Sequence, residues 1–398
     1  MSLSKSAISK KIGIFLFSLG VVFSPASQLR FPGMSIGIGE LCVLGSILIG
    51  MVNFTFKPTL NIASWPIMQK KYLIFWLFSL ILFLIGSVYA ILIGKMDEGS
   101  TVHNFSAYTF GFLTIVLFLF FYSEQGKMLG EMILTKLASF SGLLFLLYIY
   151  LFIIGVSSFA NCNLYYELRF TGFGLNPNQL AFSCIPVPFL ALNIYGKAGQ
   201  TLIMKIWMVV VMLSSISVGV LTLSDALIVS WILGCVALYY TTYLKGLSRI
   251  PVKKIIRRVG FTLLILGICY LCLQQIESYT RETYGDGVTN SQGSDRLLYW
   301  RNAIQAFTYS PVFGLGPGSY SGGVPFGKEE AHNSFLDWLV STGIIGILLL
   351  LYLLFYKWNN IWRISNKEFI SIFFSLISFS MFHLILRHYL FWILIIFL

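Results

Sequence analysis

Long apolar stretches separated by short polar interruptions run through the whole chain, and that rhythm predicts helices that cross a bilayer. After an opening run from Ile12 to Phe23, stretches of crossing length fall at about 34–54, 72–94, 107–122, 132–156, 179–195, 202–220, 223–243, 257–276, 332–356 and 369–385. A shorter run, Tyr389 to Leu398, closes the series. The pattern predicts an all-α polytopic membrane protein with about 11–12 transmembrane helices, twelve if the last run crosses. Lys5, Lys10 and Lys11 before the first run, with Ser24-Pro25-Ala26-Ser27 after it, resemble a signal peptide. Because further apolar runs follow, this segment is read as a retained first span.

Composition strengthens the picture. With 57% hydrophobic and 11% charged residues over 398 positions and a mean hydropathy of +0.82, an ordinary water-soluble domain is excluded. The pattern divides into an N-terminal membrane bundle, 1–276, of about nine spans, a hydrophilic loop, 277–331, and C-terminal spans, 332–398, packed as one domain with the first bundle. Five of the six cysteines lie in apolar runs, so no disulfide framework is expected. Cys269 and Cys272 spell C-x-x-C inside a predicted span and are read as packing residues.

The net charge of +12 changes the picture through its placement. Counted from a cytoplasmic N-terminus, most lysines and arginines fall in cytoplasmic loops, as the positive-inside rule requires. The charge therefore marks topology, and no nucleic-acid partner is expected. Arg30, Lys95, Arg169, Arg281, Arg296, Arg301, Lys328 and Arg387 lie on the opposite side and need another reason.

The long outer loop, 277–331, holds four bases against six acids, Glu277, Glu282, Asp286, Asp295, Glu329 and Glu330, so its arginines act singly. Tyr284 to Ser294 reads as irregular, after which Ser294 caps a helix with Asp295 in its first turn. Arg296, Trp300, Ala303 and Phe307 share one face; Leu297, Arg301, Ile304 and Thr308 share the next. This pattern predicts an amphipathic helix lying flat on the membrane. The glycine-rich stretch after Pro311 lacks P-loop spacing and is read as a lid or acceptor-binding loop. No H-E-x-x-H and no carboxylate cluster spaced for a metal is present, so neither metal nor cofactor is expected.

His332 is the leading candidate for chemistry, with Asn333 beside it as a substrate-binding candidate. At the outer, N-terminal end of a span, the helix dipole disfavours imidazolium and leaves a neutral base for a sugar hydroxyl. The plain alternative is a histidine solvated at a helix end. Arg169 precedes Asn176-Pro177-Asn178 and could hold a diphosphate in a two-pronged grip; Arg296 and Arg301 invite the same reading. For all three the alternative is an arginine reaching lipid phosphate. Arg387, beside His388, is a weaker candidate of the same kind. Glu40 and Asp225 sit in or at the edge of spans, where ionisable groups call for a function. Asp225 is read as assisting the base or pairing with an arginine, and Glu40 as a buried structural partner.

The run DRLLYWRNAIQAFTYSPVFGLGPGSY followed by AHNSFLDWLVSTGIIG resembles the signature region of the O-antigen polymerase and O-antigen ligase superfamily. RFTGFGLNPNQLAF is similar to a second characteristic stretch, and LRHYLFW is similarly placed near the C-terminal end. The resemblance implies a metal-independent, inverting glycosyltransferase of the bacterial inner membrane, multi-pass, with its active site facing the periplasm. Its donor and acceptor would be undecaprenyl-diphosphate-linked oligosaccharides, its surroundings the bilayer, and a chain-length regulator a further candidate partner. Arg169 with one or more of Arg296, Arg301 and Arg387 would hold the diphosphate while His332 deprotonates the acceptor. Many members, ligases especially, carry Ser-Arg where this chain has Ser224-Asp225. That departure favours a polymerase; a ligase is the alternative, and a polysaccharide flippase the reading from a different class. The outer placement of the remaining cations favours surface chemistry over translocation.

Overall fold

The structure is a computed structural model that describes residues 5–31, 36–56, 65–122, 127–244, 286–318 and 330–398. The predicted span 257–276 with Cys269 and Cys272, the basic residues at 245–258, Arg281, the glycines at 322, 323 and 327, and Lys328 lie outside the described residues.

Helices dominate. Five come first: α1 (Lys5–Phe23), α2 (Ile38–Phe56), α3 (Ile67–Leu92), α4 (Glu98–Tyr122) and α5 (Lys127–Ile153). Two small antiparallel ribbons follow, β1 (Ser158–Phe159) with β2 (Cys162–Asn163) and β3 (Tyr165–Tyr166) with β4 (Arg169–Phe170). Then come α6 (Pro177–Cys184), α7 (Val187–Tyr195), α8 (Leu202–Leu221), α9 (Asp225–Tyr239), α10 (Asp286–Phe307), α11 (Ser334–Ile364), α12 (Lys367–Ser380) and α13 (Tyr389–Phe397). Among the described residues, six helices are long and apolar enough to cross a membrane, at 67–92, 98–122, 128–153, 202–221, 225–242 and 334–364. Large apolar side chains such as Ile74, Phe78, Ile81 and Val88 stand exposed along α3. Such a face is stable against lipid, and the chain is a multi-pass, all-α membrane protein.

Several predicted spans are built differently. The run 179–195 is broken into α6 and α7 around Pro186, because a proline ring lacks the amide and displaces the carbonyl a turn earlier. α12 has 14 residues and α13 has 9, about 21 Å and 13 Å of helix, against a hydrocarbon core of about 30 Å. α13 does not line the outside. Tyr389 through Ile396 are buried, enclosed by α1, α3, α4 and α5. Its Trp392 joins Phe75, Trp76 and Trp338 in one aromatic cluster beneath the site.

The loop helix also differs. α10 begins at Asp286 and runs through the stretch expected to be irregular and past the expected cap at Ser294. Once a helix is nucleated, each added residue gains a hydrogen bond, which offsets the weak propensity of Gly, Asn and Ser. The face of Arg296, Trp300, Ala303 and Phe307 turns inward, Ala303 and Ala306 packing with Ala90 and Val340, while Leu297, Arg301 and Ile304 stay exposed.

α11 is interrupted at Gly343, where φ is 66° and ψ −166°. The stretch after Pro311 fills the interruption. Leu315 and Gly316 amides donate to Val340 and Ser341 carbonyls at 2.8 and 3.0 Å, and Ile344 and Ile345 amides donate to Pro311 and Val312 carbonyls at 2.8 and 3.4 Å. Backbone groups released by the break thus find partners where water is scarce. Through residue 318 the glycine-rich stretch is therefore a packed crossing, not a lid; residues 319–329 lie outside the described set.

Candidate functional site

The site is assembled at the start of α11. Asn333 caps the helix, its Oδ1 accepting from the Phe335 and Leu336 amides at 3.0 and 3.1 Å, as the exposed donors of a first turn require. Ser334 splices on the segment between α12 and α13. Its hydroxyl donates to the His383 carbonyl at 2.6 Å and accepts from the Ile385 amide at 2.9 Å. His332, just before the cap, is half-buried and holds a positive φ of 47°. That conformation is costly for a residue with a Cβ and persists because its neighbours are fixed. The His332 ring lies 5.9 Å from that of Tyr299 on α10 and 6.4 Å from that of His383, edge to face at 84°.

His383 lies beyond the end of α12 and is only 7% exposed. Its ring rests on Phe379 at 4.6 Å, and its Nε2 is buried without a hydrogen-bond partner among the described residues. Burial pushes its pKa down to about 3, with the charges of Arg296, His332 and Arg169 acting in the same direction. It is a neutral imidazole under the influence of the same groups that the sequence singles out.

Arg169 reaches this region from β4. Its Nε donates to the Thr222 carbonyl at 3.0 Å and one terminal nitrogen to Asn178 Oδ1 at 3.1 Å. Ser224 Oγ donates to the same Asn178 oxygen at 3.1 Å, so the ribbon, the start of α6 and the α8–α9 turn are tied together. Gln28 ties β2 of the first ribbon to the loop before α6, donating to the Asn163 and Gly174 carbonyls at 2.7 and 2.6 Å.

Arg387 grips Glu330 with both terminal nitrogens, at 2.5 and 3.0 Å, and donates to Asn104 Oδ1 at 2.9 Å. Burial works against its charge, but the Glu330 carboxylate outweighs that and raises its pKa. Asp337, one turn into α11 and 8% exposed, accepts a hydrogen bond from Tyr108 close by. Beside Arg387, a cavity of about 850 Å³ opens between the segment after α1 and helices α2, α4 and α6, lined by Arg30, Glu40, His103, Gln179 and His388 among others. Glu40 is 6% exposed, accepts from the Gly37 amide at 2.9 Å and lies 3.9 Å from Arg30. Burial pushes His388 down to about 3, helped by Arg387 and Arg30.

Of the residues singled out by sequence, His332, Arg169, Arg296 and Arg387 come together at one end of the bundle, directly or through His383 and the segment that Ser334 holds. Asn333 lies among them with its carbonyl oxygen committed to the cap. Arg301 is exposed on the opposite face of α10 from the packed residues. Asp225 is exposed in the first turn of α9 and forms no ion pair among the described residues. Sequence reasoning missed His383 and Asp337, both inside apolar runs, and treated Glu330 only as part of the loop's acidity.

The fold defines a multi-pass helical membrane protein, and at one end of it Arg169, Arg296 and Arg387 stand near His332 and His383. Residues 208–351 match the family described as O-antigen ligase, which supports the O-antigen polymerase and ligase superfamily, a glycosyltransferase-like membrane group, for this chain. No curated protein matches it.

Proposed function

We propose that the protein is a surface-polysaccharide polymerase of the bacterial inner membrane. It transfers an undecaprenyl-diphosphate-linked glycan onto a lipid-linked repeat unit of O-antigen or a related polymer at the periplasmic face. The observation that carries this reading is the convergence of His332 at a helix mouth with the charges of Arg169 and Arg296, next to a cavity that bears Arg387.

In this reaction the acceptor hydroxyl gives its proton to His332 as its oxygen attacks the anomeric carbon from the face opposite the diphosphate, inverting that centre. The bond from that carbon to the diphosphate oxygen breaks, and the diphosphate leaves with the electron pair. Arginines stabilise the charge it gains. A diphosphate is already a good leaving group, and guanidinium keeps its charge at every working pH, so the arginines can do this without a metal. Glu330, an oxygen-bearing anion in Arg387's two-pronged grip, occupies the geometry that a phosphate oxygen pair would take. Asp225 and Arg301, both exposed, remain candidates for contacts with the acceptor or the diphosphate.

The family description favours a second reading, a ligase with a lipid A-core acceptor; Ser224-Asp225 in place of Ser-Arg favours the first. Elongation of lipid-linked repeat units by the purified protein tests the proposal. His332→Ala is expected to lower the rate by about a hundredfold or more while eluting from detergent columns as the wild type does. Wild-type elongation by that variant would remove His332 as the base.

A further inference from the structure

We propose that His383 is a second sugar-binding residue, whose Nε2 holds the acceptor hydroxyl that neighbours the one facing His332. The inference rests on the polymerase reading and names the part of the acceptor that the site recognises.

Three observations carry it. The nitrogen is unpartnered among the described residues although the side chain is 7% exposed; a buried polar atom left so is costly unless a ligand completes it. Ser334 holds its backbone carbonyl, and its ring packs against that of Phe379 at 4.6 Å and a 36° tilt, so backbone and side chain are already ordered before binding. Finally, its ring stands edge to face with that of His332 at 6.4 Å between centroids. With hydrogen bonds of about 2.8 Å, that separation lets each imidazole take one of two neighbouring hydroxyls on a single sugar.

The chemistry selects a sugar over a phosphate. An anion would call for imidazolium, which burial and the charges of Arg296 and Arg169 oppose. A neutral imidazole offers one donor and one acceptor, and a hydroxyl, which both donates and accepts, satisfies either tautomer. His383 would thus set which hydroxyl meets His332, and with it the linkage made.

The test uses the purified full chain with lipid-linked repeat units from its native host, intact or made deoxy at the hydroxyl next to the growing position. His383→Phe keeps the ring on Phe379 and loses the nitrogen; His383→Asn restores a donor and acceptor. We expect His383→Phe to raise the acceptor KM about tenfold with kcat within about threefold of wild type, and His383→Asn to recover part of that loss. The deoxy acceptor should cost the wild type a similar factor and cost His383→Phe almost nothing. Unchanged acceptor KM in both variants, or an equal penalty for the deoxy acceptor in wild type and His383→Phe, would overturn the inference and leave the polymerase reading standing. Failure of the wild type to elongate any lipid-linked unit would overturn both.

Discussion

Arg387 illustrates how much one side chain is asked to do. Its fork closes on Glu330, its third contact is Asn104, and it lines a cavity of about 850 Å³. Lysine would keep the charge and lose the two-pronged geometry. Arg387→Lys is therefore expected to raise the donor KM about tenfold while leaving the acceptor KM within about twofold, measured by initial rates at varied donor. Equal donor KM in the two proteins would mean that the fork holds Glu330 and nothing else. His332 was legible in the sequence because a lone histidine at the polar edge of an apolar run stands out. His383 and Asp337 did not stand out, because inside apolar runs an imidazole or carboxylate looks like any tolerated core residue. Asn333 was legible as a neighbour of His332, but not as the cap of the helix that begins beside it.

At the scale of elements, the break in α11 places the site. Gly343 adopts a conformation open chiefly to glycine, and a Cβ there would meet the Val312 carbonyl oxygen at 2.2 Å. A Cβ at Gly314 would meet the Ser341 and Thr342 backbone at 2.4 Å. Gly343→Ala should thus push the 311–316 crossing off α11, and with it the helix mouth that carries His332. We expect a loss of stability of about 2 kcal/mol or more, read as a lower thermal midpoint in detergent, together with a loss of elongation. A wild-type midpoint would contradict the packing described here. Hydropathy located most helices, since apolarity is a local property, but missed several of their ends: α4 starts at Glu98 against an expected 107, and α11 runs to Ile364 against an expected 356. It did not show the break at Gly343 or the insertion that completes it, since these depend on a partner segment elsewhere in the chain. Pro186 was a visible signal for the α6–α7 break, overridden by the apolarity around it.

Across the whole molecule, the residues proposed for chemistry gather at one end, while exposed apolar side chains run along its flanks. This arrangement suits a reaction at a membrane surface in which the lipid tail of the donor stays among the helices. The orientation is open to a direct check at Asp225, which is exposed at the start of α9. In a background without native cysteines, Asp225→Cys should be labelled from the periplasm by a membrane-impermeant maleimide. Labelling only after the inner membrane is breached would reverse the topology. Polymerase activity in the cell is read from a gel profile of lipopolysaccharide from cells that lack the protein, with the lipid-linked glycans extracted from the same cells. A polymerase predicts lipid A-core bearing a single repeat unit and no ladder, restored by the wild-type gene and not by His332→Ala. Bare core with long polymer held on undecaprenyl diphosphate would contradict it in favour of a ligase, and an unchanged ladder would remove O-antigen from the account altogether.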